Sequence, residues 1–233
     1  MIKSVRRLGL VCCALVVGVA DATTLGGIRA QSLVSQNVAA TASAAVVVTC
    51  DNYTGTTGAL LSSRAVTAAA SCANAVWTTH VGTWTIQSNQ AASSTTSNAT
   101  ATLNVGSADC TVQAVMTGLA TVDASAGVVT SHNGTSTYLG AVLIKNSPDR
   151  IELRLYQFGV ASIIATATTT IVTSNTLSLT RSASNVSVAL NGTTVLTTTL
   201  TPTQSTALGT GKRSGLFGNN SSVRYDDFLV TNP

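Results

Sequence analysis

Short apolar runs separated by small, turn-forming residues fill residues 50–91, and this pattern constrains the fold more than any other feature of the chain. Runs of this kind, interrupted by Gly, Asn and Ser, are typical of β-strands joined by turns. Thr and Ser dominate the polar residues, and the β-branched Thr favours a pleated, half-buried surface. No pattern of helical length appears after residue 22, so the sequence predicts an all-β domain.

The strand pattern continues to the end of the chain. Asn191-Gly192 predicts the clearest hairpin, because these residue types suit the two positive φ angles of a type I′ turn. The predicted strands are residues 44–50, 84–86, 99–105, 110–119, 138–144, 151–156, 161–172, 176–180, 186–190, 193–197, 215–217 and 223–230.

A second hairpin is predicted around residues 146–149. We expect it to pair Ile144 with Ile151 and Val142 with Leu153, which puts all four side chains on one face. The side chains expected on the other face are those of Glu152, Arg154 and Tyr156.

Several short motifs resemble those of the concanavalin A-like (laminin G-like) jelly-roll family, and their order and spacing match over roughly residues 45–231. The matching strings are Asp51-Asn52-Tyr53, Leu61-Ser62-Ser63-Arg64, Trp77 followed by Gly82-Thr83-Trp84-Thr85-Ile86, Asn191-Gly192-Thr193, and Tyr225-Asp226-Asp227-Phe228-Leu229-Val230. The resemblance implies a two-sheet antiparallel jelly-roll sandwich whose first and last strands are neighbours. Similar strings occur in secreted bacterial proteins and in bacteriophage tail or other virion proteins, which implies an exposed binding or adhesion module.

The start of the chain has the composition of a secretory signal peptide. Residues 1–22 begin with Lys3, Arg6 and Arg7, continue with an apolar run that is too short to span a membrane, and end in a small-x-small pattern. A retained N-terminal arm is the competing interpretation. Residues 23–44 are small, polar and aperiodic, and we expect an extended linker or docking arm that mediates attachment or oligomerisation.

Charge and motif content exclude several classes of function. Only 9% of the residues are charged, and outside the leader the remaining cations are scattered, so no nucleic-acid-binding face is predicted. Glycoside hydrolysis requires two facing carboxylates, whereas the chain has a single glutamate, Glu152, which we expect to form a strand-face ion pair with Arg154. His80 and His132 are interpreted as solvated loop and turn residues rather than as general bases. The sequence therefore predicts a protein that is not an enzyme.

The candidate ligand-binding residues are aromatic or imidazole side chains that suit a sugar ring, although core packing is the alternative for the tryptophans. They are Trp77, His80, Tyr138 and Tyr156. No cofactor is predicted apart from a structural calcium ion, held by Asp51, Asp226 and Asp227 where the first and last strands meet. Strand-end and turn roles are the alternative for these aspartates.

Three cysteines remain after the leader, which predicts one disulfide and one spare thiol, or an intermolecular bond. Cys50 and Cys72 are the preferred pair, because the loop containing Cys72 follows directly from the first strand.

The sequence is compatible with two main functions. The first is an exposed, non-enzymatic module that binds glycan or another cell-surface component, on a secreted bacterial protein or on a phage particle. The second is a structural protein that assembles or decorates a virion or filament, with copies of itself or other virion proteins as partners. A degenerate glycosidase ranks third.

The signal-peptide hypothesis makes a direct prediction about the mature chain. Intact-mass analysis of native protein should show the loss of residues 1–22 if the protein is secreted and extracellular. A native chain that retains Met1 would contradict secretion and favour a virion component.

Overall fold

A computed structural model describes residues 46–64, 66, 76–94, 98–119 and 124–232. The expected leader and arm and the predicted disulfide partner Cys72 lie outside the described residues. Within them, no helix is long and apolar enough to cross a membrane.

β-Strands dominate the secondary structure of the described chain. Its fifteen strands are β1 (Val47–Asp51), β2 (Thr78–Val81), β3 (Trp84–Gln87), β4 (Gln90–Ser93), β5 (Ala99–Asn104), β6 (Cys110–Thr117), β7 (Ser125–His132), β8 (Tyr138–Ile144), β9 (Arg150–Gln157), β10 (Val160–Thr168), β11 (Ser174–Ser182), β12 (Asn185–Leu190), β13 (Thr193–Thr199), β14 (Arg213–Gly218) and β15 (Arg224–Thr231). The helices are a 3₁₀ turn, Leu61–Ser63, and α1 (Pro202–Leu208).

The strands form two antiparallel sheets. The eight-stranded sheet has the order β13-β12-β11-β6-β15-β4-β3, with β1 also paired to β15. The seven-stranded sheet has the order β10-β9-β8-β7-β14-β5-β2. The predicted all-β, two-sheet antiparallel sandwich is therefore confirmed. The first and last strands are neighbours as expected, with Cys50 opposite Leu229 and Asp51 opposite Phe228.

The core lies between the sheets because each strand turns every second side chain inward. In β6 the buried residues Cys110, Val112, Ala114 and Met116 alternate with partly exposed polar or small residues. The predicted Asn191-Gly192 turn is also confirmed: φ is 51° and 81° at these residues, and they join β12 to β13.

The predicted register of the β8–β9 hairpin is wrong by one residue. Ile144 pairs with Arg150 rather than with Ile151, and Val142 pairs with Glu152 rather than with Leu153. Both faces of β8 are buried, so apolar alternation does not distinguish one register from the next. As a result, Val142 and Ile144 lie on the face of the sheet that points away from the core.

Three strands and one helix were not predicted. β2, β4 and β7 contain many small or polar residues, which weakens their strand pattern. His80 lies in β2 and His132 in β7, rather than in the predicted loop and turn. Helix α1 begins with a capping box, in which Thr201 Oγ1 accepts from the Gln204 N–H and Gln204 Oε1 accepts from the Thr201 N–H.

Asp51 fixes the end of β1 to the segment that follows it. Its fully buried carboxylate accepts hydrogen bonds from the Tyr53 N–H at 2.8 Å, the Trp77 indole N–H at 2.7 Å and the Arg64 guanidinium at 3.3 Å. The Trp77 ring then packs edge-on against Phe228 in β15, with centroids 5.0 Å apart. A buried carboxylate is tolerated here because its charge is paired and its oxygens are hydrogen-bonded.

Cys50, beside Asp51, is disulfide-bonded, whereas Cys110 is a buried free thiol. The free thiol contacts the Thr130 and Ser214 hydroxyls at 3.2 and 3.3 Å inside the sandwich. Pairing of Cys50 with Cys72 stays a prediction.

We expect Asp51→Asn to destabilise the sandwich strongly. The substitution removes the charge that balances Arg64 and one of the acceptor oxygens, and breaking a buried ion pair in this way costs about 3–5 kcal/mol. Urea unfolding monitored by tryptophan fluorescence measures the change. Asp226→Asn is the control and should stay within about 0.5 kcal/mol of the wild type, because Asp226 is only half-buried. Equal stabilities of the two variants would contradict this role for Asp51.

Candidate functional site

The face of the seven-stranded sheet that points away from the core, termed the outer face, carries its own cluster of large side chains. In β8, Leu139, Ala141 and Leu143 point into the sandwich, so Tyr138 and Val142 point to the outer face. The complete outer-face cluster is Val129, Tyr138, Val142, Ile144, Tyr156 and Phe217. The outer face of this sheet is therefore not an ordinary polar, solvent-exposed surface.

A row of rings crosses the outer face. Adjacent ring centroids lie 4.0 Å apart for His80 and His132, 5.1 Å for His132 and Tyr138, and 4.4 Å for Tyr138 and Tyr156, and all three pairs are stacked. Phe217 continues the row at 5.6 Å from Tyr156. The structure thus brings together three of the four residues predicted to bind ligand, and it adds His132.

His132 is held in one tautomer by the turn that follows it. The Gly134 N–H donates to Nδ1 at 2.9 Å, so Nδ1 carries no hydrogen and Nε2 carries it instead. Burial, His80 and Arg213 together lower the pKa of His132 to about 3, which keeps the ring neutral. The Nε2 atom is buried and has no hydrogen-bond partner among the described residues. It is therefore an unused donor.

His80 is also neutral. Its Nε2 lies 2.8 Å from the Thr102 hydroxyl, which accepts from Arg213 Nε at 2.8 Å. Burial and the nearby Arg213 charge lower the pKa of His80 to about 4. Because both pKa values lie far below 7, neither histidine is well suited to general acid–base catalysis near neutral pH. Both neutral rings can still form hydrogen bonds.

A cavity of about 210 Å³ opens at this end of the outer face. Its buried residues are Thr100, His132 and Tyr138, and its exposed or half-buried residues are Val81, Asn98, Thr135, Ser136 and Gly159. Besides His132 Nε2, the buried Thr100 Oγ1 lacks a partner within the described structure. Two residues that each carry an unpaired buried polar atom, Thr100 and His132, therefore line the same small cavity.

Phe158 is adjacent in the chain to a residue of the cavity lining, and no sequence pattern predicted a role for it. It is 86% exposed, and it precedes Gly159 of the cavity lining in the turn between β9 and β10. Both residues have positive φ, 52° and 82°, and the Gly159 N–H donates to the Ser136 carbonyl at 3.1 Å. The only sequence signal for this turn is the glycine between two strand patterns, because Phe is not among the residues that favour the first position of such a turn.

A charged network occupies the neighbouring positions of β9. Glu152 accepts from Arg150 Nε at 2.6 Å and from Arg154 Nε at 2.7 Å, and Arg154 also donates to the Tyr156 hydroxyl at 3.2 Å. The predicted ion pair of Glu152 with Arg154 is therefore present. Burial raises the pKa of Glu152, but the hydrogen bonds and charges of the two arginines outweigh it and hold the pKa below its ordinary value.

The remaining predicted site residues lie elsewhere. Trp77 is 1% exposed, and its ring packs in the core between Tyr53 and Phe228, so it offers no free face for a sugar and is excluded from the site. Asp226 accepts from the Gln90 side chain at 3.4 Å and from the Asp227 N–H at 2.9 Å. No group of three or more His, Cys, Asp or Glu side chains within the described part of the chain is arranged to hold a metal ion. The calcium hypothesis gains no support from these residues.

The fold is similar to several solved structures. The carbohydrate binding module CBM66 from Bacillus subtilis shares 17% sequence identity over 67% of this chain and 91% of its own, with a TM-score of 0.50. A functionally unknown protein from Saccharomyces cerevisiae matches at 12% identity over 68% and 96% of the two chains, also with a TM-score of 0.50. The GH43 protein BlXynB from Bacillus licheniformis matches at 13% identity and a TM-score of 0.50, over 64% of this chain but only 34% of that one.

At these identities the likeness shows the fold alone, and it is consistent with the concanavalin A-like sandwich that the sequence motifs predicted. No family model and no curated protein sequence matches the chain.

The Glu152 network makes stability depend on pH. Because the folded-state pKa of Glu152 is depressed, its contribution is present above the unfolded value of about 4.3 and is lost as pH falls through the folded value. We expect Glu152→Gln to melt below the wild type at neutral pH, and the gap to close on acidification below about pH 4.3. Thermal melting across this range measures it.

The control is Asp227→Asn, which removes an exposed acid at a positive-φ position that Asn also accepts. Its melting temperature should follow the wild type at every pH. A gap for Glu152→Gln that stays constant down to the lowest pH would contradict this account.

Proposed function

We propose that the protein is a non-enzymatic glycan-binding module whose site is the cavity beside Phe158. The observation that carries the proposal is a small cavity lined by His132 and Thr100, whose Nε2 and Oγ1 atoms have no partner among the described residues, and by Gly159, which follows the exposed Phe158 in the chain. Ligand sites commonly combine a concave surface, an apolar platform and a few placed polar groups.

A pyranose ring presents the two kinds of surface that such a site requires. Its C–H face packs on an aromatic ring, and its hydroxyl groups donate and accept hydrogen bonds. Phe158 supplies the ring, His132 Nε2 supplies a donor, and the Thr100 hydroxyl donates or accepts. Asn98, Thr135 and Ser136 add neutral polar groups, and none of the described residues that line the cavity is charged. The site therefore fits a neutral sugar better than an acidic one.

The setting of the module is part of the proposal. The basic start and short apolar run of residues 1–22 support secretion, which would place the domain outside the cell. Display on a phage particle is the alternative that the resemblance to virion proteins implies. In either setting the partner is a glycan or another component of a cell surface.

Thr100→Val provides the sharpest test, because binding and stability should change in opposite directions. Valine has nearly the shape of threonine but lacks the unpaired hydroxyl, so we expect the free protein to become more stable by about 1 kcal/mol. The same change removes a hydrogen bond to the sugar and should weaken binding about tenfold. A glycan array with wild-type protein identifies the ligand, and isothermal titration calorimetry measures the affinity.

Phe158→Ala tests the platform. This side chain is exposed, so we expect little change in melting temperature and a large loss of affinity. Thr176→Val, on β11 of the other sheet, is the matched control for Thr100→Val and should bind as tightly as the wild type. A blank glycan array, or full affinity in both Thr100→Val and Phe158→Ala, would overturn the proposal.

A further inference from the structure

Strand β10 forms one edge of the seven-stranded sheet, and among the described strands it pairs only with β9. Its first four residues, 160–163, are all exposed. Val160 is 73% and Ile163 59% exposed, and with Phe158 they concentrate large apolar side chains within six residues of the chain. An edge strand also presents main-chain N–H and C=O groups that lack a neighbouring strand.

The usual devices that prevent edge strands from pairing are scarce on β10. Natural edges are protected by short length, by charged residues, by Pro or by bulges. β10 has nine residues, Val160–Thr168, and contains neither a charge nor a proline. A bulge between Ile163 and Ala165 twists the second half of the strand. The regular segment before the bulge, residues 160–163, therefore stays open to another strand.

We propose that this segment is a self-association surface, and that its occupant is the β10 strand of a second copy of the chain. A two-fold axis perpendicular to the sheet brings identical edges together antiparallel, which satisfies the main-chain groups of both copies and continues the sheet across the dimer. Identical strands meet here without like-charge repulsion because β10 is uncharged. Val160 of each copy then lies beside Ile163 of the other, and this cross-strand apolar contact partly covers both side chains.

The test introduces the charge that β10 lacks. Val160→Lys places a charged lysine on the edge, opposite Ile163 of the other copy when the two 160–163 segments pair antiparallel. Val160 is largely exposed, so the fold of each copy should not change. We expect the full chain to show a reversible monomer–dimer equilibrium by sedimentation equilibrium, and Val160→Lys to weaken the dimer by at least about tenfold.

Val46→Lys is the matched control, since Val46 has a similar exposure of 62% and precedes β1 in the other sheet. It should dimerise like the wild type. Ile163→Lys provides a second variant on the same segment and should weaken the dimer in the same way. The proposal is overturned if the wild type stays monomeric over the whole concentration range. It is also overturned if both β10 variants dimerise as tightly as the wild type. The proposal does not rest on glycan binding, because neither Val160 nor Ile163 lines the cavity.

Discussion

The seven-stranded sheet packs large side chains on both of its faces, and much of the rest of the structure depends on this constraint. Its inner face fills the sandwich through residues such as Leu139, Leu143 and Leu153. Its outer face carries the ring row and the apolar cluster that includes Val142 and Phe217. In a two-layer sandwich an outer face is usually polar and wet. Here burial instead lowers the pKa of both histidines on that face and keeps them neutral.

Two-sided burial also explains which parts of the fold the sequence predicted. The Asn191-Gly192 turn and the pairing of β1 with β15 depend on local turn chemistry and on motif order, and both were predicted correctly. The β8–β9 register depends on which side of each strand faces the core. When both sides are apolar, a shift of one residue leaves the pattern unchanged, so sequence alternation alone could not find it.

The candidate site was predicted only in part for a related reason. Tyr138 was identified from residue type, whereas His80 and Tyr156 belong to the ring row but not to the cavity lining. His132, which lines the cavity, was interpreted as a turn residue because Asn133-Gly134 follows it. The turn is present, and it is what fixes the imidazole, since the Gly134 N–H donates to Nδ1. Position next to a turn and burial at a strand end are compatible, and only the tertiary structure shows that His132 lies against His80. Trp77, in contrast, was a candidate from its residue type but does not belong to the site. Its match to a family motif reflects packing on Phe228 and a hydrogen bond to Asp51.

The unpaired buried atoms of Thr100 and His132 represent a cost in stability. A buried polar group without a partner destabilises the folded state by about 1–3 kcal/mol. Thr49 Oγ1 and Trp84 Nε1 are also buried and unpaired, but they lie apart from this cavity. Thr100 Oγ1 and His132 Nε2 differ because both residues line this one cavity. Buried polar groups without hydrogen-bond partners are often found at functional sites. The presence of two such residues in the lining of one small cavity is the reason for our proposal that the cavity binds a hydroxyl-bearing ligand.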